Sequence, residues 1–468
     1  MRNHAKSLAL WDALVRSNPE SGILIGPEGH IHSRAEIDTR ADQLCARWRE
    51  EGLKAHRLLV INIGNGVEWI SAFIGAMKLG AIIVPLDPGL DAGETLRLLN
   101  DIRAQGLWDG CSLMKRESVP VRSFNNLNIA LGKLTSGSTG KPRLILFTEA
   151  EMLSDGHHLI EGMGLLPEDI NLGVIPWGHS YGLGNIVYPL LIQGTQVTWT
   201  ETAFPSMIAE VCERTGATVF PSVPTLLSAL VRSSCESSAF SSLRLVISAG
   251  ARLAPEVASE YENKFGCIPH NFYGSTETGG ICFDRTGEAS LSGFSLGTPL
   301  EGVNIREGKG KRFYVQSGAV FSYGNHRSRK GEAGIHLASD FGHVNEEGGL
   351  VLEKRAKNIL KIGGRRIHPG DVESRLEELE GVTQSMVAGI EVNEEMVIGA
   401  AIETDLPRVV LLALIRKQIP KRLRPKKIEC FLKFPMTRRG KIDQVEILKK
   451  LKPKSGSEQR EKGESYWV

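Results

Sequence analysis

The chain has 468 residues, 41% of them hydrophobic and 24% charged, which is ordinary globular composition. Its length exceeds what one hydrophobic core supports, so two or more domains are expected. With 56 basic and 54 acidic residues the net charge is +2, which excludes a global pull toward nucleic acid or membrane.

The N-terminus, MRNHAKSLALWDALVRSNPE, lacks a long apolar core and carries Asp12 and Arg16, so it does not read as a signal peptide. Residues 36–53 read as an amphipathic helix. RLLVINIG (57–64) reads as a buried strand, 66–79 as a helix and AIIVPL (81–86) as a second strand. This βαβ rhythm predicts a mostly parallel sheet. The window WISAFIGAMKLGAIIVPL contains Lys78 and two glycines, so it reads as a buried helix leading into a strand rather than a membrane span. The rhythm returns at 144–147, NLGVIPW (171–177), 195–199, 217–222 and 243–250. From 285 to 353 short strands with Gly-rich turns, FYVQSG, GIHLASD and GLVLEKR, predict a barrel-like β layer. A second α/β pattern starts near 356: helix 370–379, strands 386–390 and 396–403, helix 407–418 and strand 428–434. The expected domains are therefore 1–354 and 355–453, with a polar, disordered tail at 454–468. The seven cysteines (45, 111, 212, 235, 267, 282, 430) contain no CxxC pair, which argues against zinc ribbons and redox motifs. Dispersed cysteines of odd number suit a reducing compartment, and the cytoplasm is the expected location.

The segment LTSGSTGKPR (134–143) has the composition of a phosphate loop. It is not a P-loop of the G-x-x-x-x-G-K-[ST] type, because Thr135 stands where Gly is required and Pro142 where a Mg-binding hydroxyl belongs. Nor is it a G-x-S-x-G nucleophile elbow, because residue 136 is Ser. An anion nest of hydroxyls and backbone N–H groups, ending in a lysine, remains, beside the plain reading of a solvated turn.

Five further segments follow in order: SAGARLAP (248–255), NFYGSTETGG (271–280), ASDFG (338–342), EKRAKNILKIGGRRIHP (353–369) and PMTRRGKID (435–443). With the first loop they resemble the adenylate-forming superfamily of acyl- and aryl-CoA ligases, luciferases and the adenylation domains of peptide synthetases. The resemblance covers about residues 130–445. It implies a large N-terminal domain of mostly parallel α/β layers plus a barrel-like β layer, and a small mobile C-terminal α+β domain. It also implies ATP-dependent conversion of a carboxylate to an acyl-adenylate with release of pyrophosphate, then transfer to a thiol.

By that resemblance Thr135, Ser136, Gly137, Ser138, Thr139, Gly140 and Lys141 would cover the β- and γ-phosphates. Gly250 and Ala251 would line one face of the adenine, with Tyr273, followed by Gly274, on the other. Thr276 would donate to the α-phosphate and Glu277 would hold Mg²⁺. Asp340 and Arg355 would contact the ribose. Lys441 would bridge the carboxylate and the α-phosphate, lowering the repulsion between two anions. Lys357 would be the hinge between half-reactions, and Gly364 would leave room for a pantetheine arm. The chain departs from the family after Pro142, where Arg143-Leu-Ile replaces the usual Lys-Gly-Val.

PWGHSYGLGNIVYPLL (176–191) resembles the acid-pocket segment of such ligases, with His179 at its gate. No Asp or Glu occurs from 170 to 200, Asp169 lying just outside. A buried α-ammonium would need such a partner, which argues against an amino-acid substrate. Gly279 and Gly280 are expected to leave space for an extended or flat apolar acid, fatty or aromatic. Residues 421–454 hold thirteen Lys or Arg against three Asp or Glu. They suit the phosphates of CoA, an acyl carrier protein bearing phosphopantetheine, or simply solvent. CoA is the first expectation and the carrier protein the alternative. A non-catalytic nucleotide-binding relative would be expected to lack Lys441 or Glu277.

Overall fold

In the computed structural model the described residues are 4–86, 92–116, 124, 128–135, 143–308, 312–323, 334–355, 360–362, 365–367, 369–392, 395–437 and 442–451. The chain divides into two compact units. One comprises Met1–Ala338 with Gly342–Leu352, the other Ser339–Phe341 with Glu353–Val468.

The first unit carries two large sheets. One has six strands in the order Leu113–Lys115, Gly106–Trp108, Leu58–Ile61, Ile82–Pro85, Ile129–Thr135 and Arg143–Thr148. Its middle four strands run parallel and its two edge strands antiparallel. The expected strands around 57–64 and 81–86 are here, fully buried, as continuous apolar runs in a parallel sheet should be. Between them the helix Val67–Leu79 is buried on nearly every face. A Cβ on Gly75 would stand 2.9 Å from the Ala41 carbonyl oxygen, so glycine lets this helix approach the helix Arg34–Glu50 closely.

The other sheet has nine strands, with Ile170–Leu172, Gln196–Thr198, Val219–Ser222, Leu245–Ser248 and Pro269–Ser275 running parallel through its centre. The strand expected over 171–177 is shorter than its apolar pattern. Beyond Leu172 the carbonyls of Gly173 and Ile175 accept from the Asn65 amide rather than from a neighbouring strand. Gly279–Phe283 returns antiparallel to Pro269–Ser275. The expected barrel-like layer is a four-stranded sheet ordered Asn304–Glu307, Arg312–Gln316, Ile335–Val344 and Leu350–Arg355.

The second unit has a three-stranded sheet of Val382–Val392, Glu395–Thr404 and Lys427–Phe431, with the helices Pro369–Glu377 and Arg408–Gln418. Val372, Leu376, Leu411 and Ile415 from those helices pack on Ala400, Ile402 and Ile428 of the sheet. Among the described residues no helix is long and apolar enough to cross a membrane. None of the seven cysteines is in a disulfide.

Candidate functional site

Two antiparallel strand pairs in the first unit, or hairpins, bear Thr135 and the Tyr273–Glu277 segment. The strands Ile129–Thr135 and Arg143–Thr148 pair antiparallel down to Thr135 opposite Arg143. The Thr135 hydroxyl donates to the Arg143 carbonyl at 3.4 Å. Ser136, Gly137, Ser138, Thr139, Gly140 and Lys141 lie outside the described residues.

The second hairpin joins Pro269–Ser275 to Gly279–Phe283 through the turn Thr276–Thr278. The turn is closed by Ser275 and Thr278, whose hydroxyls are 2.9 Å apart, and by the Thr278 N–H on the Ser275 carbonyl. Thr276, Glu277 and Tyr273 are half-buried. Gly274 admits no side chain: a Cβ there would lie 2.7 Å from the Gly279 carbonyl oxygen. The strand Leu245–Ser248 runs parallel beside this one, with Ser248 opposite Asn271. Exposed Gly250 and Ala251 therefore leave the same carboxyl edge of the sheet that Tyr273 approaches. That edge is where open α/β sheets bind ligands. Glu277, a carboxylate beside threonine hydroxyls on a half-buried turn, offers the hard oxygen donors that suit Mg²⁺.

His179 precedes the short helix Ser180–Gly182. A cavity of about 560 Å³ lies against it, lined also by Asn65, Trp69, Trp177, Trp199 and Glu201. Among the described residues, none of those expected to bind the nucleotide lines that cavity. Two residues on, Tyr181 turns the other way: its hydroxyl donates to the Ile247 carbonyl at 3.2 Å and its ring is 5.7 Å from Phe272. Burial pushes the Tyr181 phenol far above its usual range. The segment 176–182 thus runs from the cavity to the strands that carry Gly250 and Tyr273.

The expected space at Gly279 and Gly280 is filled. A Cβ on Gly279 would lie 2.2 Å from the Asp155 carboxylate, and one on Gly280 2.7 Å from Leu300 and 2.8 Å from Leu159. Packing demands these glycines; they open no channel for an acid. Asp169 is also committed, accepting from Arg244, Thr218 and the Leu166 N–H. Burial alone would raise its pKa, but these hydrogen bonds and the Arg244 charge hold it below the usual carboxylate value.

In the second unit Asp340 is half-buried on Ile335–Val344, and Arg355 ends the strand Leu350–Arg355. Lys357, Gly364 and Lys441 lie outside the described residues. The residues Met436 and Ile442 that bracket Lys441 pair as an antiparallel bridge.

Sequence reading missed a buried cluster behind the two hairpins: Lys133, Glu151 and Asp155. The available signal was a lone lysine in the otherwise apolar strand IALGKLT. Among the described residues, His30, His32 and Glu36 form a group of metal-ligating type. There Glu36 Oε1 already meets both His32 and Arg40.

Taken together, the two units and the hairpins define an adenylate-forming enzyme fold. ATP-bound MatB from Rhodopseudomonas palustris shares it, with a TM-score of 0.79 at 20% identity over 96% of this chain and 99% of its own. The chain belongs to the AMP-binding enzyme family, which matches residues 11–118 and 112–307. Feruloyl-CoA synthase of Amycolatopsis sp is 26% identical over 96% of this chain and 99% of its own. Surfactin synthase subunit 2 of Bacillus subtilis (strain 168) is 23% identical over 96% of this chain, which spans only 14% of that protein.

Proposed function

We propose that this protein condenses a fatty or aromatic carboxylic acid with ATP to an acyl-adenylate, releases pyrophosphate and passes the acyl group to a thiol. CoA is the proposed acceptor, and the phosphopantetheine of an acyl carrier protein is the alternative. The observation that carries the reading is the segment 176–182, which links the cavity at His179 to the carboxyl edge bearing Gly250 and Tyr273. An acid held at His179 would meet a nucleotide at that edge. The similarity to feruloyl-CoA synthase supports an acid–thiol ligase. The cavity is walled by Trp69, Trp177 and Trp199, and the carboxylates that line it, Glu68 and Glu201, are exposed, which favours an apolar acid; the two buried carboxylates near this region are already paired. Asp169 is held by Arg244, and Asp155 by Lys133 and the Gly280 N–H. Neither is left to pair with an ammonium group of an amino acid.

In this reading Thr135 to Lys141 hold the β- and γ-phosphates, and Gly250, Ala251 and Tyr273, with Gly274 beside it, sandwich the adenine. Thr276 donates to the α-phosphate, while Asp340 and Arg355 take the ribose. Glu277 would hold Mg²⁺, which when bound neutralises phosphate charge. Lys441 sits between the attacking carboxylate oxygen and the α-phosphate, where positive charge stabilises the crowded anionic transition state. The Lys357 backbone is the proposed hinge of residues 355–453, and Gly364 gives the pantetheine arm passage.

The test is pyrophosphate release with ATP and Mg²⁺ across a panel of fatty and aromatic acids, for the wild type and Lys441→Ala. At least one acid should give release that the variant loses by about 100-fold or more. A folded protein that binds ATP but gives release with no acid would reduce the reading to a nucleotide-binding relative. CoA and a carrier protein, supplied in turn, then identify the thiol.

A further inference from the structure

The strand Ile129–Thr135 is apolar up to Leu134 except where Lys133 interrupts it. Lys133 is only 4% exposed. Its ammonium sits 4.6 Å from the centre of the Phe147 ring and 5.8 Å from that of Tyr188. Its charged partner is Asp155 Oδ2 at 3.7 Å, on the helix Glu149–Met163 and itself 3% exposed. Burial pushes the lysine below its usual value, against the pull of Asp155.

The other oxygen of Asp155 accepts the backbone N–H of Gly280 at 2.9 Å. Gly279 makes this approach possible: its φ of +70° and missing Cβ leave the space the carboxylate occupies. Leu159, one helical turn on, packs where a Gly280 side chain would stand. A second strut leaves the same helix. Glu151 Oε1 accepts the Ser322 N–H, and the adjoining Phe321 N–H donates to the Glu277 carbonyl at 3.3 Å. The turn Thr276–Thr278 is thus held on both sides by one helix. That helix continues directly from Arg143–Thr148, the strand paired with Thr135.

We infer that Asp155, seated on buried Lys133, is a positioning residue for adenylation: its carboxylate fixes the Gly279–Gly280 backbone and so sets Thr276 and Glu277 relative to the strand that ends at Thr135. The inference rests on the reaction proposed above. A buried ion pair is a poor source of net stability, since apolar replacements of similar size are often neutral or better. What an apolar pair cannot supply is the acceptor for the Gly280 N–H. Loosening that bond lets the turn drift, and a misplacement near 1 Å costs about 100-fold in a reaction that depends on alignment.

Two double variants separate the acceptor from the charge. Lys133→Met with Asp155→Asn removes both charges and keeps an acceptor of the same shape. Lys133→Met with Asp155→Leu removes the acceptor as well. In the Leu variant, amide hydrogen exchange in the peptide spanning Tyr273–Phe283 should rise by about tenfold or more. Its kcat for ATP–pyrophosphate exchange should fall about 10- to 100-fold, with the KM for ATP within about threefold of wild type. The Asn variant should stay within about threefold of wild type in both measurements. Both are assayed at the same interval below their melting temperatures, so a loss from unfolding alone does not count. Equal exchange and equal rates in the two variants would overturn the inference, as would a loss confined to KM. If the wild type shows no acid-dependent pyrophosphate exchange, the proposed reaction has failed. The hydrogen-exchange arm then decides by itself whether Asp155 holds the turn.

Discussion

His4 shows how one buried side chain can set a response to acid. Its imidazole is fully buried, with Nε2 donating to the Ala81 carbonyl at 2.9 Å and Nδ1 without a hydrogen-bond partner. Protonating Nδ1 would add a buried charge and an unanswered donor, so burial lowers the pKa from 6.5 to about 4. Between those values the unfolded chain binds a proton that the folded chain refuses. Stability contributed by neutral His4 is therefore lost as pH falls from 6.5 towards 4, by about 3 kcal/mol at most. Urea unfolding across this window should show a steeper pH dependence in the wild type than in His4→Gln, which keeps a donor for Ala81. Parallel curves would show that His4 does not set the slope. At the same scale, Gly279 and Gly280 show what a linear reading misses. Their identity suggested room for substrate, yet the room is taken by Asp155, Leu159 and Leu300, which lie far from them along the chain.

At the scale of elements, the helix Glu149–Met163 has the greatest consequence. Its start is a capping box: the Thr148 hydroxyl accepts the Glu151 N–H, and the Glu151 carboxylate accepts the Thr148 N–H. That reciprocal pair is written in the sequence as T-x-x-E. Three acidic side chains then leave the helix for distant partners: Glu149 for Ser7, Glu151 for Ser322 and Asp155 for Gly280. None of those destinations is visible from the helix sequence. Thr148→Ala should cost about 1 kcal/mol by leaving the Glu151 N–H without its cap. Denaturant midpoints at constant slope measure the loss, and an unchanged midpoint would mean the strand before the helix fixes its start unaided. The expected strand over 171–177 fails at this scale too. Its apolar pattern was legible, but the Asn65 side chain that takes its next carbonyls arrives from the loop between Leu58–Ile61 and Val67–Leu79.

For the whole molecule, each buried apolar cluster among the described residues lies inside one of the two units. Residues 8–352 supply four of the clusters and residues 360–451 the remaining two. Leu411, fully buried among Val372, Leu376 and Ile402, belongs to the second. Leu411→Ala should destabilise that unit by about 2–5 kcal/mol. In calorimetry it should lower one component of the unfolding endotherm and leave the other in place. A uniform shift of the whole endotherm would show that the units unfold as one.

The sequence by itself determined the class of fold and the members of the motif set. Periodicity distinguishes buried parallel strands from amphipathic helices, and the Ser/Thr/Gly segments recur in a fixed order, so both are local properties of the chain. The tertiary structure alone decided which carboxylates are free and which glycines are filled. It also decided that the two motif hairpins hang from one helix through Lys133, Asp155 and Glu151. Those facts depend on contacts between residues well separated along the chain: Asp169 and Arg244 are 75 positions apart, Asp155 and Gly280 125. Burial and pairing of a charge follow from such contacts, and no local pattern encodes them.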